Sequence, residues 1–235
     1  MAVRAALVVV AGVLAGCAHG SGAPAENLSA RHHGASGSHG PLGHRFENAE
    51  EWAKRFDDPA RDAWQRPDEV IGLMAIEPGM RVVDLGAGTG YFLRRISKAV
   101  GSAGAVLALD IEPGMIDYMA ERCRREGLTN TRPLRVPLDD PKLDPGSVHR
   151  ILIVNTWHHI PDRTAYVKKL ARALVPGGAV YVVDFTLESE HGPPREHRIE
   201  PERVARELIV GWFETKLIED LLPEQYVVAG RLLSP

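Results

Sequence analysis

The stretch VVDLGAGTGYF, residues 82–92, runs from an apolar segment of strand type into three glycines spaced two apart, then toward a helix. Glycine takes positive φ without steric cost and lets another molecule approach the backbone closely. The stretch therefore reads as strand, ligand-binding turn and helix. Gly86, Gly88 and Gly90 fall at the carboxyl end of the strand, where open parallel sheets hold their ligands. Dinucleotide turns follow G-x-G-x-x-G, but the position of the third glycine is occupied by Tyr91, and the chain has no G-x-x-x-x-G-K-[ST] phosphate loop. A second apolar run, VLALDI, contains Asp110, twenty residues beyond Gly90, a spacing that suits a carboxylate accepting from ribose hydroxyls.

Working outward, strand-type and helix-type segments alternate. MRVVDLG, VLALDI, TRPLRVP, HRILIVNT and GAVYVVDFT are apolar on both faces, and between them lie TGYFLRRISKAVG, EPGMIDYMAERCRREG and a helix from Asp162 to Leu174. Such alternation predicts an α/β fold, a parallel sheet between helical layers. ENAEEWAKRF and PDEVIGLMAI, ahead of the first strand, carry helical spacing. After a helix in PERVARELIVGWF the rhythm breaks: ETKLIED and QYVVAGRLL are separated only by LLPE, too short for a crossover, so an antiparallel pair is expected.

The 235 residues are 44% hydrophobic and 25% charged, enough for one substantial core. A net charge of −3 and a pI near 6.4 supply no basic field, which excludes a nucleic-acid backbone as main partner. At the N-terminus, Arg4 precedes AALVVVAGVLAG, a run shorter than a membrane span but suited to an export signal. Its ending with the next residue, Leu14-Ala15-Gly16-Cys17, resembles the lipobox of bacterial lipoproteins. That resemblance implies cleavage before Cys17, acylation of its thiol, and a membrane-anchored protein of the cell envelope facing the periplasm; a mis-assigned start codon would make it cytoplasmic. The expected organisation is a signal peptide at 1–16, acylated Cys17 and a flexible tether over 17–43, and a folded domain over 44–235. Residues 18–43 are rich in Ala, Gly, Ser and His and lack aromatics, the composition of a solvated spacer. Its histidines show no repeating spacing, so no metal is expected. Cys123 lies in YMAERCRREG as a packing residue.

VVDLGAGTGYF, LALDIEP, VPLDDPKL, ILIVNTWHHI and LVPGGAVYVVDF, in that order and closed by the hairpin, resemble the class I S-adenosylmethionine-dependent methyltransferases. The likeness covers Glu47 to Leu233 and is nearest to the small-molecule branch that includes quinone-biosynthesis methyltransferases. It implies a three-layer Rossmann-like fold whose mainly parallel seven-stranded sheet ends in an antiparallel hairpin, and S-adenosylmethionine as cofactor. It also implies that Gly86, Ala87, Gly88 and Gly90 pass beside the methionyl and ribose parts, that Asp110 takes the ribose hydroxyls, and that Ile111 packs on the adenine. Asp139 or Asp140 would accept from the adenine amino group, and Asn155 would face the methionine end. Asp84 is read as a structural residue bonding backbone amides of the turn.

Methyl transfer is an in-line displacement, for which a protein must align a nucleophile and remove its proton when it has one. His158 and His159, directly after the fourth strand, are the candidate bases, and an extended backbone would let only one face a pocket. Trp157 and His197 are candidate substrate-lining residues, with Trp52 and Trp64 as possible members of an aromatic wall or of the core. The leading expectation is an enzyme acting on a small molecule. The alternatives are a membrane-tethered, non-catalytic lipoprotein binding a ligand or partner, and an oxidoreductase with an unusual dinucleotide turn.

Overall fold

The computed structural model describes residues 48–233. The expected signal segment, the acylated Cys17 and the tether lie outside them. Three helices lead in: α1 (Ala49–Phe56), α2 (Arg61–Gln65) and α3 (Pro67–Leu73). The first begins where Asn48 accepts from Glu51 N at 3.2 Å, with Glu50 and Glu51 in its first turn and Lys54 and Arg55 in its last, charges that complement the helix dipole. α2, inside the DPARDAWQ segment, has no counterpart in the sequence reading.

Strands and helices then alternate: β1 (Arg81–Leu85), α4 (Leu93–Val100), β2 (Ala105–Asp110), α5 (Pro113–Glu126), β3 (Thr131–Arg135), β4 (Val148–Val154), α6 (Arg163–Ala173) and β5 (Leu174–Phe185). α5 starts on Pro113, whose missing N–H costs nothing there, and stops at Gly127 in the left-handed region, φ +66°. α6 is capped by Asp162, which accepts from Ala165 N at 2.9 Å. The chain finishes with α7 (Pro201–Ile209), β6 (Phe213–Ile218) and β7 (Gln225–Leu232).

The sheet runs β3-β2-β1-β4-β5-β7-β6. The pairs among β1 to β5 are parallel, whereas β7 is antiparallel to both β5 and β6. The last strand thus inserts between β5 and β6, burying Tyr226, Val227 and Val228 rather than leaving them on an edge. Alternate residues of β1 feed two cores. Val83 and Leu85 pack with Val167 and Leu170 of α6 and Val204 and Leu208 of α7, while Val82 packs with Val70, Ile96 and Met119 from α3, α4 and α5. Cys123 is buried in the second core, as a packing residue would be. Strand order reverses between β1 and β4, and a cleft opens at their carboxyl ends.

Candidate functional site

The turn after β1 is held open by its own backbone. Gly86, Gly88 and Gly90 take φ of +73°, +56° and +84°, a region that side chains strain to enter. At Gly86 space is also decisive, since a Cβ there would lie 2.2 Å from Thr156 Oγ1. Four amides of this turn are spent inside the protein. Gly86 N and Ala87 N donate to Leu109 O at 2.8 and 3.0 Å, Gly90 N to Ala87 O at 2.8 Å, and Gly88 N to Asp110 Oδ2 at 2.8 Å. A phosphate cradle needs such N–H groups aimed outward. This turn offers close approach without an anion cradle.

Asp110 ties the end of β2 to the turn, its Oδ1 also accepting from Glu112 N at 3.0 Å. Burial holds its carboxyl above the ordinary range against the pull of the amides of Glu112, Gly88 and Ile111. Each oxygen retains a further lone pair for a hydroxyl donor. Ile111, Met115, Val136 and Leu138 add an apolar wall beside it.

Asp84 and Arg61 also line the cleft. Burial raises Asp84 to about 7, outweighing the attraction of Arg61, and its Oδ2 is buried without a hydrogen-bond partner. The expected structural role in bonding turn amides is thus not what that oxygen does. Arg61, on α2, is held by Phe56 O and Gln65 Oε1 with its guanidinium 3.9 Å from the Tyr91 ring centroid, and burial lowers it to about 10. No motif in the sequence marks Arg61, because it acts from a five-residue helix that only the tertiary fold lays over the turn.

Asn155 follows β4 at φ +52°, a left-handed conformation that asparagine tolerates better than most residues. It lines the cleft, with Thr156 beside it. A 3₁₀ turn over Trp157–His159 then divides the two histidines. His159 is on the cleft wall, whereas His158 is buried away from it, its Nδ1 2.8 Å from Asp184 Oδ2.

Other expected site residues stand elsewhere. Trp157 is fully buried in the core and donates through Nε1 to Glu207 Oε2 at 2.8 Å. His197 is exposed on a 3₁₀ turn after β5 and is not among the cleft-lining residues. Asp139 is exposed, and Asp140 pairs with Lys142 and Lys169 at 3.2 and 3.7 Å; the cleft wall at this point is Val136, Pro137 and Leu138. The turn after β3 sends the Asp140 carboxylate to the lysines, while Asp139 accepts from Lys169 Nζ only through its backbone carbonyl. Aromatic lining comes from Phe56, Tyr91, Phe92 and Tyr166, while Trp64 stacks on His191 at 5.0 Å.

The cleft measures about 1180 Å³ counted out to open solvent. Its chemistry fits a phosphate-free adenosyl ligand with a zwitterionic tail: an acceptor pair for ribose at Asp110, apolar walls for a purine, and Asp84 with Arg61 for an ammonium and a carboxylate. The carboxylates of Asp84 and Asp110 and a turn that spends the amides of Gly86, Ala87, Gly88 and Gly90 internally oppose a pyrophosphate.

Residues 82–178 match a family model described as a methyltransferase domain. The chain is 27% identical over 124 residues to the ubiquinone/menaquinone biosynthesis C-methyltransferase of Idiomarina loihiensis, covering 52% of this chain and 49% of that protein. It is 33% identical over 130 residues to an uncharacterized methyltransferase of Mycobacterium bovis, covering 55% and 50%. The chain thus spans about half the length of the curated relatives it matches. A crystal structure of a SAM dependent methyltransferase from Aquifex aeolicus superposes with a TM-score of 0.73 at 26% identity, covering 78% of this chain and 98% of that one. The described residues form a class I, Rossmann-like methyltransferase fold, and their cleft fits S-adenosylmethionine.

Proposed function

We propose that this chain is an S-adenosylmethionine-dependent methyltransferase that moves a methyl group to a small-molecule acceptor by in-line displacement. The observation that carries the reading is the turn in which the amides of Gly86, Ala87, Gly88 and Gly90 are consumed by Leu109, Asp110 and Ala87, with carboxylates beside it where a nucleotide site would offer N–H groups. S-adenosylmethionine, when bound, supplies a methyl carbon activated by a positively charged sulfur. Asp110 holds the ribose hydroxyls, and Asp84 and Arg61 orient the amino-acid end. His159, on the cleft wall, takes a proton from the acceptor where the acceptor has one to lose. His158, held by Asp184, backs the His159 ring at 4.2 Å between centroids.

The small-molecule acceptor is supported by the apolar and aromatic cleft walls and by the likeness to a quinone-biosynthesis C-methyltransferase. Attachment to a membrane through Cys17 rests on the lipobox-like LAGC ahead of the domain. Mass spectrometry of the mature protein from its host tests that attachment, which is wrong if residues 1–16 remain and Cys17 is unmodified.

Calorimetry on the full chain tests the cofactor. Saturable binding of S-adenosylmethionine, lost in Asp110→Ala, is expected. Binding of NADH in its place would refute the reading.

A further inference from the structure

A buried chain of hydrogen bonds links two walls of the cleft. Arg61 Nη2 and Nε donate to Gln65 Oε1 at 2.9 and 3.3 Å, Gln65 Nε2 donates to Gln225 Oε1, and Gln225 Nε2 donates to Asn155 Oδ1. Gln65 and Gln225 are 0% and 2% exposed, so water does not compete for these amides. The direction of the chain follows from chemistry. A guanidinium has N–H donors and no acceptor, so the Gln65 atom facing it is the oxygen; each amide has one donor end and one acceptor end, so the polarity passes on unchanged. It arrives at Asn155 as a donated bond on Oδ1. The Nδ2 end of Asn155, a residue that lines the cleft, is left outside this chain.

We infer that Gln65 and Gln225 are positioning residues whose amide chain sets Asn155 as a donor, so that Asn155 Nδ2 and Arg61 together receive the carboxylate of the ligand's amino-acid end. Arg61 spends three N–H groups on Gln65 and Phe56 and keeps the rest for that carboxylate. Asp84, with its unpartnered buried oxygen, meets the ammonium. Specificity for an intact amino-acid tail is thereby built by residues from α2 and β7 as well as by the glycine turn. This inference rests on the adenosyl reading of the cleft.

Gln65→Glu reverses the polarity without adding bulk. The new carboxylate still accepts from Arg61, but it forces Gln225 to turn its NH₂ toward it, and Asn155 then turns over and presents Oδ1. Asn155→Asp places an acceptor in the cleft directly and leaves Gln225 donating. The probes are S-adenosylhomocysteine, which keeps the amino-acid tail, and methylthioadenosine, which lacks it, titrated calorimetrically into the full chain. In each variant S-adenosylhomocysteine affinity is expected to fall about tenfold or more, the scale of one charge-assisted hydrogen bond, with methylthioadenosine affinity unchanged. Unaltered S-adenosylhomocysteine affinity in either folded variant overturns the inference, as does an equal loss for both probes. If Gln65→Glu does not fold, Asn155→Asp decides, since its position already tolerates Asn or Asp at positive φ. A wild-type chain that binds neither probe refutes the adenosyl reading and the inference with it, whereas a wild type that binds both beside variants that match it refutes the inference alone.

Discussion

His158 Nδ1 sits 2.8 Å from Asp184 Oδ2, with both side chains almost fully buried, while its chain neighbour His159 faces the cleft. Adjacent histidines therefore do different work. Removing one member of a buried pair leaves the other without compensation, which costs about 3–5 kcal/mol. His158→Ala should lower the unfolding free energy read from urea melts by that much, whereas His159→Ala should cost about 1 kcal/mol or less and leave S-adenosylhomocysteine affinity within about twofold. The opposite ranking in urea melts would exchange their roles.

Asp84 makes the free protein sensitive to pH. Its carboxyl rises from an ordinary 3.8 to about 7 in the fold because burial disfavours the charge. The native state therefore holds a proton that the unfolded chain releases between these values. Stability from this group is fully present below about 4, declines as pH climbs, and is lost above about 7, on the order of 4 kcal/mol at most. Asp84→Asn should flatten that decline in melts run from pH 4 to 8. An ammonium beside Asp84 favours its ionised form, so binding of S-adenosylhomocysteine near pH 6 should release a proton. Calorimetry in buffers of different ionisation enthalpy reads it.

Gly86 and Gly88 share positive φ but differ in surroundings. A Cβ at Gly86 meets Thr156 Oγ1 and Cβ at 2.2 and 2.8 Å; one at Gly88 meets only Phe56, at 3.6 Å. Gly88→Ala should cost about 1–2 kcal/mol of backbone strain. Gly86→Ala should cost clearly more, abolish cofactor binding, and be partly rescued by Thr156→Gly. Equal losses in thermal melts would mean that Thr156 does not confine the turn.

Asp139 and Asp140 provide a negative control. Asp140 faces Lys142 and Lys169, and its carboxyl is held below the ordinary range first by the Lys142 amide. Asn substitutions at either position should leave S-adenosylhomocysteine affinity within about twofold, because exposed pairs of this kind contribute about 0–1 kcal/mol. A tenfold loss would bring one of these carboxylates back to the adenine.

Local chemistry made much of the domain readable. Pro113 and Gly127 bracket α5, Asp162 opens α6, and the doubly apolar strands announce a sheet covered on both faces. Gly86, Gly88, Asp110 and Ile111 were legible as cleft residues because they adjoin strands whose carboxyl ends a parallel sheet must gather. The short link before β7 required an antiparallel neighbour, but it said nothing about which. Pairing with both β5 and β6 follows from burying Val227 and Val228, an outcome of packing between segments distant in the chain.

The glycine spacing and the order of strands were sufficient to specify the sheet and its binding end, since both depend on backbone limits that act within a few residues. Selection among the polar groups around that end was not local. Arg61, Gln65 and Gln225 come from opposite ends of the domain and meet near Asn155 because α2 folds against β7, while a single 3₁₀ turn after β4 sends His158 inward and His159 outward. Side-chain direction and desolvation arise from neighbours brought together in space, so no window of sequence contains them.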